Sequence, residues 1–398
     1  MLKKSLFLAV FISQFATGQT INTSYATVAN LVLQTNVTQI LTDFEGLGVK
    51  TRGAAALTNT LNYIKAKYTA FGYTAAQITE QSFTNGSFTN KNLIVTKTGT
   101  LYPNTYVIIC GHFDSIGGTG TNDNGSGTAT MLEFARLIAT IPTEYSVRII
   151  HFSGEENGLV GSNAYLNNVV NATVPKMDIR ILLNIDGIGR PSTTTNKIVF
   201  CERDNGNVKT TNDAASNVFN NQLMSYVGFY SNLIAQRDVI SASDYMPFEA
   251  NNEVVIGFYQ SGAAAPYNHN ASDLLVNMDP EYNFQITKAT VGAMLHFSVA
   301  TVSSLSLPTD PVIPPLVQAS LEPVLIYPNP TSEYVSVKTK GNDMFDILVY
   351  DCSGRMLKQA NGSSLILIDM EGYLSATYIF VITNRKTGQR YNREVIKI

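Results

Sequence analysis

The 398-residue chain has no tryptophan, only three cysteines and four histidines, and only 14% charged residues. Three cysteines are too few for a disulfide scaffold, and an odd number leaves at least one thiol unpaired. The 27 Lys and Arg residues form no basic run and the net charge is −3, which argues against nucleic-acid binding through phosphate contacts. No apolar stretch is long enough to span a membrane as a helix. What is present is a 44% hydrophobic chain, ample to bury a core and long enough for two or three domains of roughly 150 residues. Low charge with abundant Asn, Thr, Ser, Gly and Tyr suits an exported protein.

The first residues agree with export. Lys3 and Lys4 precede an apolar run from Leu6 to Phe15, then Ala16, Thr17 and Gly18. A basic start, a short apolar segment and small residues at the cut form a secretory signal peptide over residues 1–18.

From Thr20 to about Gly72 the pattern is helical, with Leu57, Leu61, Ile64 and Tyr68 on one face. Strands are expected over 78–83, 92–96, 106–110, 147–152, 179–185 and 254–259, with Cys201 in a further strand. Helices are expected over 129–141 (amphipathic, stopped by Pro142), 161–170 and 282–302. This alternation predicts an α/β domain whose mixed, mostly parallel sheet is flanked by helices. After Ser303, four prolines in a short aperiodic stretch mark a linker over 304–321. Short alternating strands over 334–338, 345–350, 365–369, 377–383 and 391–398, with a turn at Asp351 to Gly354, predict a small C-terminal β-sandwich over 322–398.

Functional groups of α/β sheets gather where strands end. After the 106–110 strand come His112, Asp114 and Ser115, and a Gly-rich loop leads to Asp123-Asn124-Gly125-Ser126-Gly127. After 147–152 come Glu155 and Glu156, and after 179–185 comes Asp186. Near the last strand are Ser243-Asp244-Tyr245, then His269 and Asp273. Carboxylates collected so densely would repel and turn neutral unless divalent cations held them ionised. Mixed His and carboxylate ligands suit Zn²⁺. Asp114, two residues from His112, faces the same side and orients that ring. His151 lies in an apolar strand and His296 on a core helix face, and both are expected to be structural.

In order and spacing these motifs resemble the family M28 zinc aminopeptidases over about residues 92–300. The resemblance rests on His112-Phe113-Asp114-Ser115, Asp123 to Gly127, Glu155-Glu156-Asn157-Gly158-Leu159-Val160-Gly161-Ser162, Asn184-Ile185-Asp186, Ser243-Asp244-Tyr245 and His269 with Asp273. It implies a zinc-peptidase domain over 19–303 that removes N-terminal residues from peptides. It further implies two Zn²⁺ per chain, one on His112 and Asp186 and one on Glu156 and His269, bridged by Asp123. A metal-held water would attack the scissile carbonyl with Glu155 as general base, and Asp114 would be the catalytic partner of His112. A cis peptide after Asp123 is implied as well. The family's Ser-Asp-His is here Ser243-Asp244-Tyr245, so Asp244 and Tyr245 are expected at the substrate pocket. Tyr245 either lines it or donates a hydrogen bond to a developing oxyanion.

Tyr327-Pro328-Asn329-Pro330-Thr331, Val349-Tyr350-Asp351 with Ser353-Gly354-Arg355, and the ending Val395-Ile396-Lys397-Ile398 resemble the type IX secretion sorting domain. It implies the type IX machinery as a partner and a secreted or cell-surface location. The Gly usual before the penultimate strand's Tyr is replaced by Ala376-Thr377. Two alternatives stand beside the peptidase. A glutaminyl cyclase-like acyltransferase would use one zinc and tryptophans around its pocket, which this chain lacks. A non-catalytic surface-binding module would not bind zinc tightly.

Overall fold

The structure, a computed structural model, describes residues 21–191, 196–303, 307, 324–327, 329–331, 333–339, 343–351 and 355–398. The expected signal segment, nearly all of the expected linker, and Cys352, Ser353 and Gly354 of the expected turn lie outside the described residues. The chain separates into two compact units, residues 1–308 and 309–398.

The described residues of the first unit begin with three helices, α1 (Thr23–Ala29), α2 (Gln34–Gly46) and α3 (Ala55–Ala70). Leu57, Leu61, Ile64 and Tyr68 form the buried face of α3, as their spacing predicts. The hairpin β1 (Ile78–Asn85) and β2 (Phe88–Lys97) leads to β3 (Tyr102–His112), α4 (Gly125–Ile138) and β4 (Tyr145–Phe152). Then come α5 (Val160–Tyr165), which continues as a π-helical turn over Leu166–Val170, and β5 (Asp178–Ile185). The unit is completed by β6 (Ile198–Arg203), α6 (Asp213–Tyr230), β7 (Ile234–Val239), α7 (Met246–Ala250), β8 (Val255–Gln260) and α8 (Pro280–Phe297).

The strands form one eight-stranded sheet in the order β1-β2-β4-β3-β5-β8-β6-β7. Its centre, β4-β3-β5-β8, is parallel. β2 joins β4, and β6 joins β8, in antiparallel fashion, so the sheet is mixed as expected. Alternation along a strand sends Val107 and Ile109 of β3 into one core layer and Ile108 and Cys110 into the other. Both faces are therefore covered, which is why β3 is a continuous apolar run. Cys110 and Cys201 are buried free thiols. No helix among the described residues is long and apolar enough to cross a membrane.

Three expectations change. α4 starts at Gly125, four residues before the expected 129, because Asn124 caps it by accepting from Gly127 N at 2.9 Å. It is also not amphipathic: every residue from Gly125 to Ile138 except Arg136 is buried, since α2, α3 and α8 all pack on it. α8 ends at Phe297 rather than at 302, with Val299 in a left-handed conformation (φ 51°). The N- and C-terminal parts of the unit meet where Tyr25 Oη donates to Ala300 O at 2.7 Å.

Among its described residues the second unit has seven strands: β9 (Val324–Tyr327), β10 (Tyr334–Thr339), β11 (Phe345–Tyr350), β12 (Met356–Gly362), β13 (Leu365–Asp369), β14 (Ala376–Asn384) and β15 (Arg390–Lys397). They form a three-stranded sheet, β13-β10-β9, and a four-stranded sheet, β12-β11-β14-β15. Val335, Val337, Ile347, Val349, Ile368, Phe380, Ile382 and Val395 are buried together in its core.

Candidate metal centre

The parallel strands deliver their functional groups to one edge of the sheet. β3 ends at His112, β4 leads into Glu155 and Glu156, β5 into Asp186, and the loop after β8 carries His269. Asp123 stands just before α4, and its peptide bond to Asn124 is cis.

Asp123 offers one oxygen to each imidazole. Its Oδ1 lies 3.2 Å from His112 Nε2 and its Oδ2 lies 3.0 Å from His269 Nε2. Asp186 Oδ1 is 3.4 Å from the first nitrogen and Glu156 Oε2 is 3.1 Å from the second. Two sets result, His112–Asp123–Asp186 and Asp123–Glu156–His269, each with its ligand atoms within 4.8 Å of one another.

Both sets fit a divalent cation. His112 Nε2 and Glu156 Oε1 are buried without a hydrogen-bond partner. His112 Nδ1 faces Asp114, 3.2 Å from its carbonyl oxygen and 3.7 Å from Oδ1. A proton on Nδ1 leaves the Nε2 lone pair free for a metal. Burial, together with Asp244, Asp186 and Asp114 and against the pull of His112, pushes Glu155 up to about 9. Burial raises Glu156 to about 7 and Asp244 to about 7, each opposed by His112. Burial would raise Asp123 too, but hydrogen bonds from His112 and His269 hold it well below its ordinary value. A hydrogen bond to Asp123 lifts His269 to about 9. Without added positive charge such a set holds protons; cations reverse that.

The surroundings fix these groups. Asp273 accepts from Asn122 N at 2.7 Å and Asp123 N at 3.1 Å. Asn122 Oδ1 accepts from Gly189 N at 2.7 Å, and Asn124 Nδ2 donates to Ile185 O at 2.7 Å. Both bonds tie the Asp123 segment to the loop that carries Asp186. Ser243 Oγ donates to Asp186 Oδ2 at 2.6 Å and accepts from Asn184 Nδ2 at 2.9 Å. Asp114 Oδ1 accepts from Glu155 N at 3.3 Å. Lys50 is fully buried, with Nζ on the carbonyls of Gly48 and Thr119 at 2.7 and 2.8 Å, so it clamps the Gly-rich loop from behind.

His112, Asp114, Asp123, Glu155, Glu156, Asp186, Asp244 and His269 thus lie together. Tyr245 does not join them as expected. Its ring is buried, and its hydroxyl donates to Glu202 Oε2 at 2.8 Å and accepts from Ser241 N at 2.9 Å, so it is not offered to an oxyanion. Tyr259, which the sequence did not single out, is a second phenol beside the cluster, near enough for the charges of Asp186 and Asp123 to act on it. Its ring lies over Gly187, where an added Cβ would sit 2.9 Å from Cε2. Burial, then the charges of Asp186 and Asp123, push its pKa upward, so it stays a donor. Its signal was its place at the end of the last parallel strand. His151 and His296 are structural: Tyr68 Oη meets His151 Nε2 at 2.8 Å, and His296 stacks on Tyr226 at 4.1 Å.

Residues 92–294, half of the chain, match the family model described as Peptidase family M28. The chain belongs to that family. Residues 325–397 match the model described as Secretion system C-terminal sorting domain. An aminopeptidase of Pseudomonas aeruginosa is 42% identical over 100 residues, which cover 25% of this chain and 18% of that protein. A probable leucine aminopeptidase 2 of Aspergillus fumigatus is 27% identical over 230 residues, which cover 53% of this chain and 44% of that protein. The matches thus span less than half the length of these relatives. The LapA aminopeptidase of Legionella pneumophila superposes with a TM-score of 0.61 at 17% identity, covering 75% of this chain and 80% of its own. A glutaminyl cyclase of Fimbriiglobus ruber does so with 0.55 at 14% identity, covering 66% and 95%. At such identities these structures share the fold of the first unit with this chain.

Proposed function

We propose that the chain is a secreted di-zinc aminopeptidase. The observation that carries this is Asp123, whose two carboxylate oxygens each face a separate imidazole within a separate three-ligand set. Zn²⁺ held by His112 and Asp186, and Zn²⁺ held by Glu156 and His269, with Asp123 between them, would polarise the scissile carbonyl and acidify a water. Glu155 takes a proton from the attacking water and passes it to the departing amine. Asp114 keeps Nδ1 of His112 protonated and holds the Glu155 backbone, while Ser243 orients Asp186. The Tyr259 phenol donates to the oxygen that gains charge. So many carboxylates favour a substrate that brings a positive N-terminus. Export rests on the signal segment over 1–18 and on the likeness of the C-terminal unit to sorting domains, with the type IX machinery as partner.

The purified chain is expected to release free amino acids from unblocked peptides and not from N-acetylated ones. A chelator should abolish the activity and zinc restore it, with two ions per chain. Glu155→Ala should lower kcat by roughly 10²–10⁴-fold, and full activity in that variant sinks the assigned base. One zinc per chain, with cyclisation of N-terminal Gln, would place the chain with the cyclases that share its fold.

A further inference from the structure

His269 differs from the other candidate ligands in how it is held. His112 ends β3, and Glu156 and Asp186 follow β4 and β5 closely. Asp123 stands where Asn124 caps α4. His269 instead lies well beyond Gln260, the last residue of β8. Its backbone is left-handed (φ 59°), a strained conformation for a residue with a Cβ, and its side chain is 53% exposed. The loop that carries it is held in place from outside.

The Gly-rich loop before Asp123 holds one side. A Cβ on Gly117 would overlap His269 O, and one on Gly118 would overlap Asn270 O, so the two backbones touch. Thr119 Oγ1 donates to Asp273 O at 2.6 Å, and Asn122 Nδ2 donates to Asn268 Oδ1 at 2.9 Å. The end of α2 holds the other side. Glu45 Oε2 accepts from Thr121 Oγ1 at 3.0 Å and from Leu275 N at 2.6 Å. One carboxylate oxygen thus joins the loop of Asp123 to the loop of His269, and a carboxylate acceptor makes such bonds roughly twice as strong as a neutral one. Lys50 completes the brace, its buried ammonium donating to Thr119 O. Burial lowers the Lys50 pKa to about 7, opposed by the charges of Asp273 and Glu45.

Resting on the di-zinc reading above, we propose that Glu45 is a positioning residue for the zinc held by Glu156 and His269. Glu45 belongs to neither ligand set. It acts through Thr121 and Leu275, fixing the separation of Asp123 and His269, which both reach that ion. The zinc held by His112 and Asp186 needs no such link. Those ligands hang on the paired strands β3 and β5, and Asn122 and Asn124 already tie Asp123 to the Asp186 loop.

The test loads the full chain with zinc and withdraws the ions by competition with a chromogenic chelator. His269→Ala, which leaves only the zinc on His112 and Asp186, identifies which step belongs to which ion. Glu45→Ala should weaken the ion that His269→Ala abolishes, roughly 10-fold, and leave the other unchanged. Glu45→Gln keeps an acceptor oxygen and should hold both ions as the parent does. Asp43→Ala controls for a weakened helix, since Asp43 also lies on α2 but accepts from Gln39 and Tyr63 at 2.8 and 2.9 Å. It should lower the urea midpoint and release neither ion early. Thr121→Val, which removes one donor to Glu45, provides the same reading should Glu45→Ala not fold. A parent with two zincs whose affinities Glu45→Ala and Thr121→Val leave unchanged overturns the proposal alone. Equal weakening of both ions, or the same selective loss in Asp43→Ala, also overturns it, because either marks general destabilisation. A parent that holds one zinc overturns the di-zinc reading, and the role of Glu45 with it.

Discussion

Tyr245 and Tyr259 are both largely buried phenols beside the carboxylate cluster, yet they differ in what their hydroxyls face. Tyr245 is bonded to Glu202 and Ser241, whereas Tyr259 lies near Asp186 and Asp123. Tyr259→Phe should reduce kcat by roughly 10²–10³-fold with zinc content unchanged, if its hydroxyl meets the developing charge. Tyr245→Phe should leave kcat near the parent value. It strips a buried carboxyl of its donor, so it should lower stability by about 1–3 kcal/mol, read from urea unfolding. The residues of the candidate centre were legible because they stand in distinctive short motifs after the strands. The two tyrosines were not separable in sequence, since only side-chain direction distinguishes them.

At the scale of elements, the loop that carries Asp123 has no regular structure of its own and is held by hydrogen bonds from outside. Asp273 supplies two of them, on the backbone N–H groups of Asn122 and Asp123. Asp273→Asn would turn an amide N–H₂ against one of those donors. Zinc affinity should fall roughly 10–100-fold, measured by competition with a chelator, while kcat at saturating zinc changes little. The strands of the sheet centre were visible in sequence because burial on both faces writes an uninterrupted apolar run. α6 was not, because its buried face includes Ser216 and Asn220. These bond the carbonyls of Val255 and of Cys201 and Glu202, so apolar periodicity breaks where packing does not. β12, with no buried residue along it, left no alternation to read.

For the molecule as a whole, His151 links fold stability to pH. Burial lowers its pKa to about 3, against about 6.5 when unfolded. Between those values the unfolded chain binds a proton that the folded chain refuses. Stability is therefore full above about pH 6.5 and declines as pH falls, by roughly 1.4 kcal/mol per pH unit from this group. Denaturant midpoints should be lower at pH 5 than at pH 7. His151→Gln, which never charges and still accepts from Tyr68, should flatten that slope. The bond from Tyr25 to Ala300 has a consequence for how the molecule forms. Early and late segments of the first unit close over the same buried helix, so α4 stays uncovered until residue 300 exists and has docked. Assembly is then governed by contacts remote in sequence, which are slow to form. Until that closure α4 lacks part of its cover and the first unit is an incomplete fold.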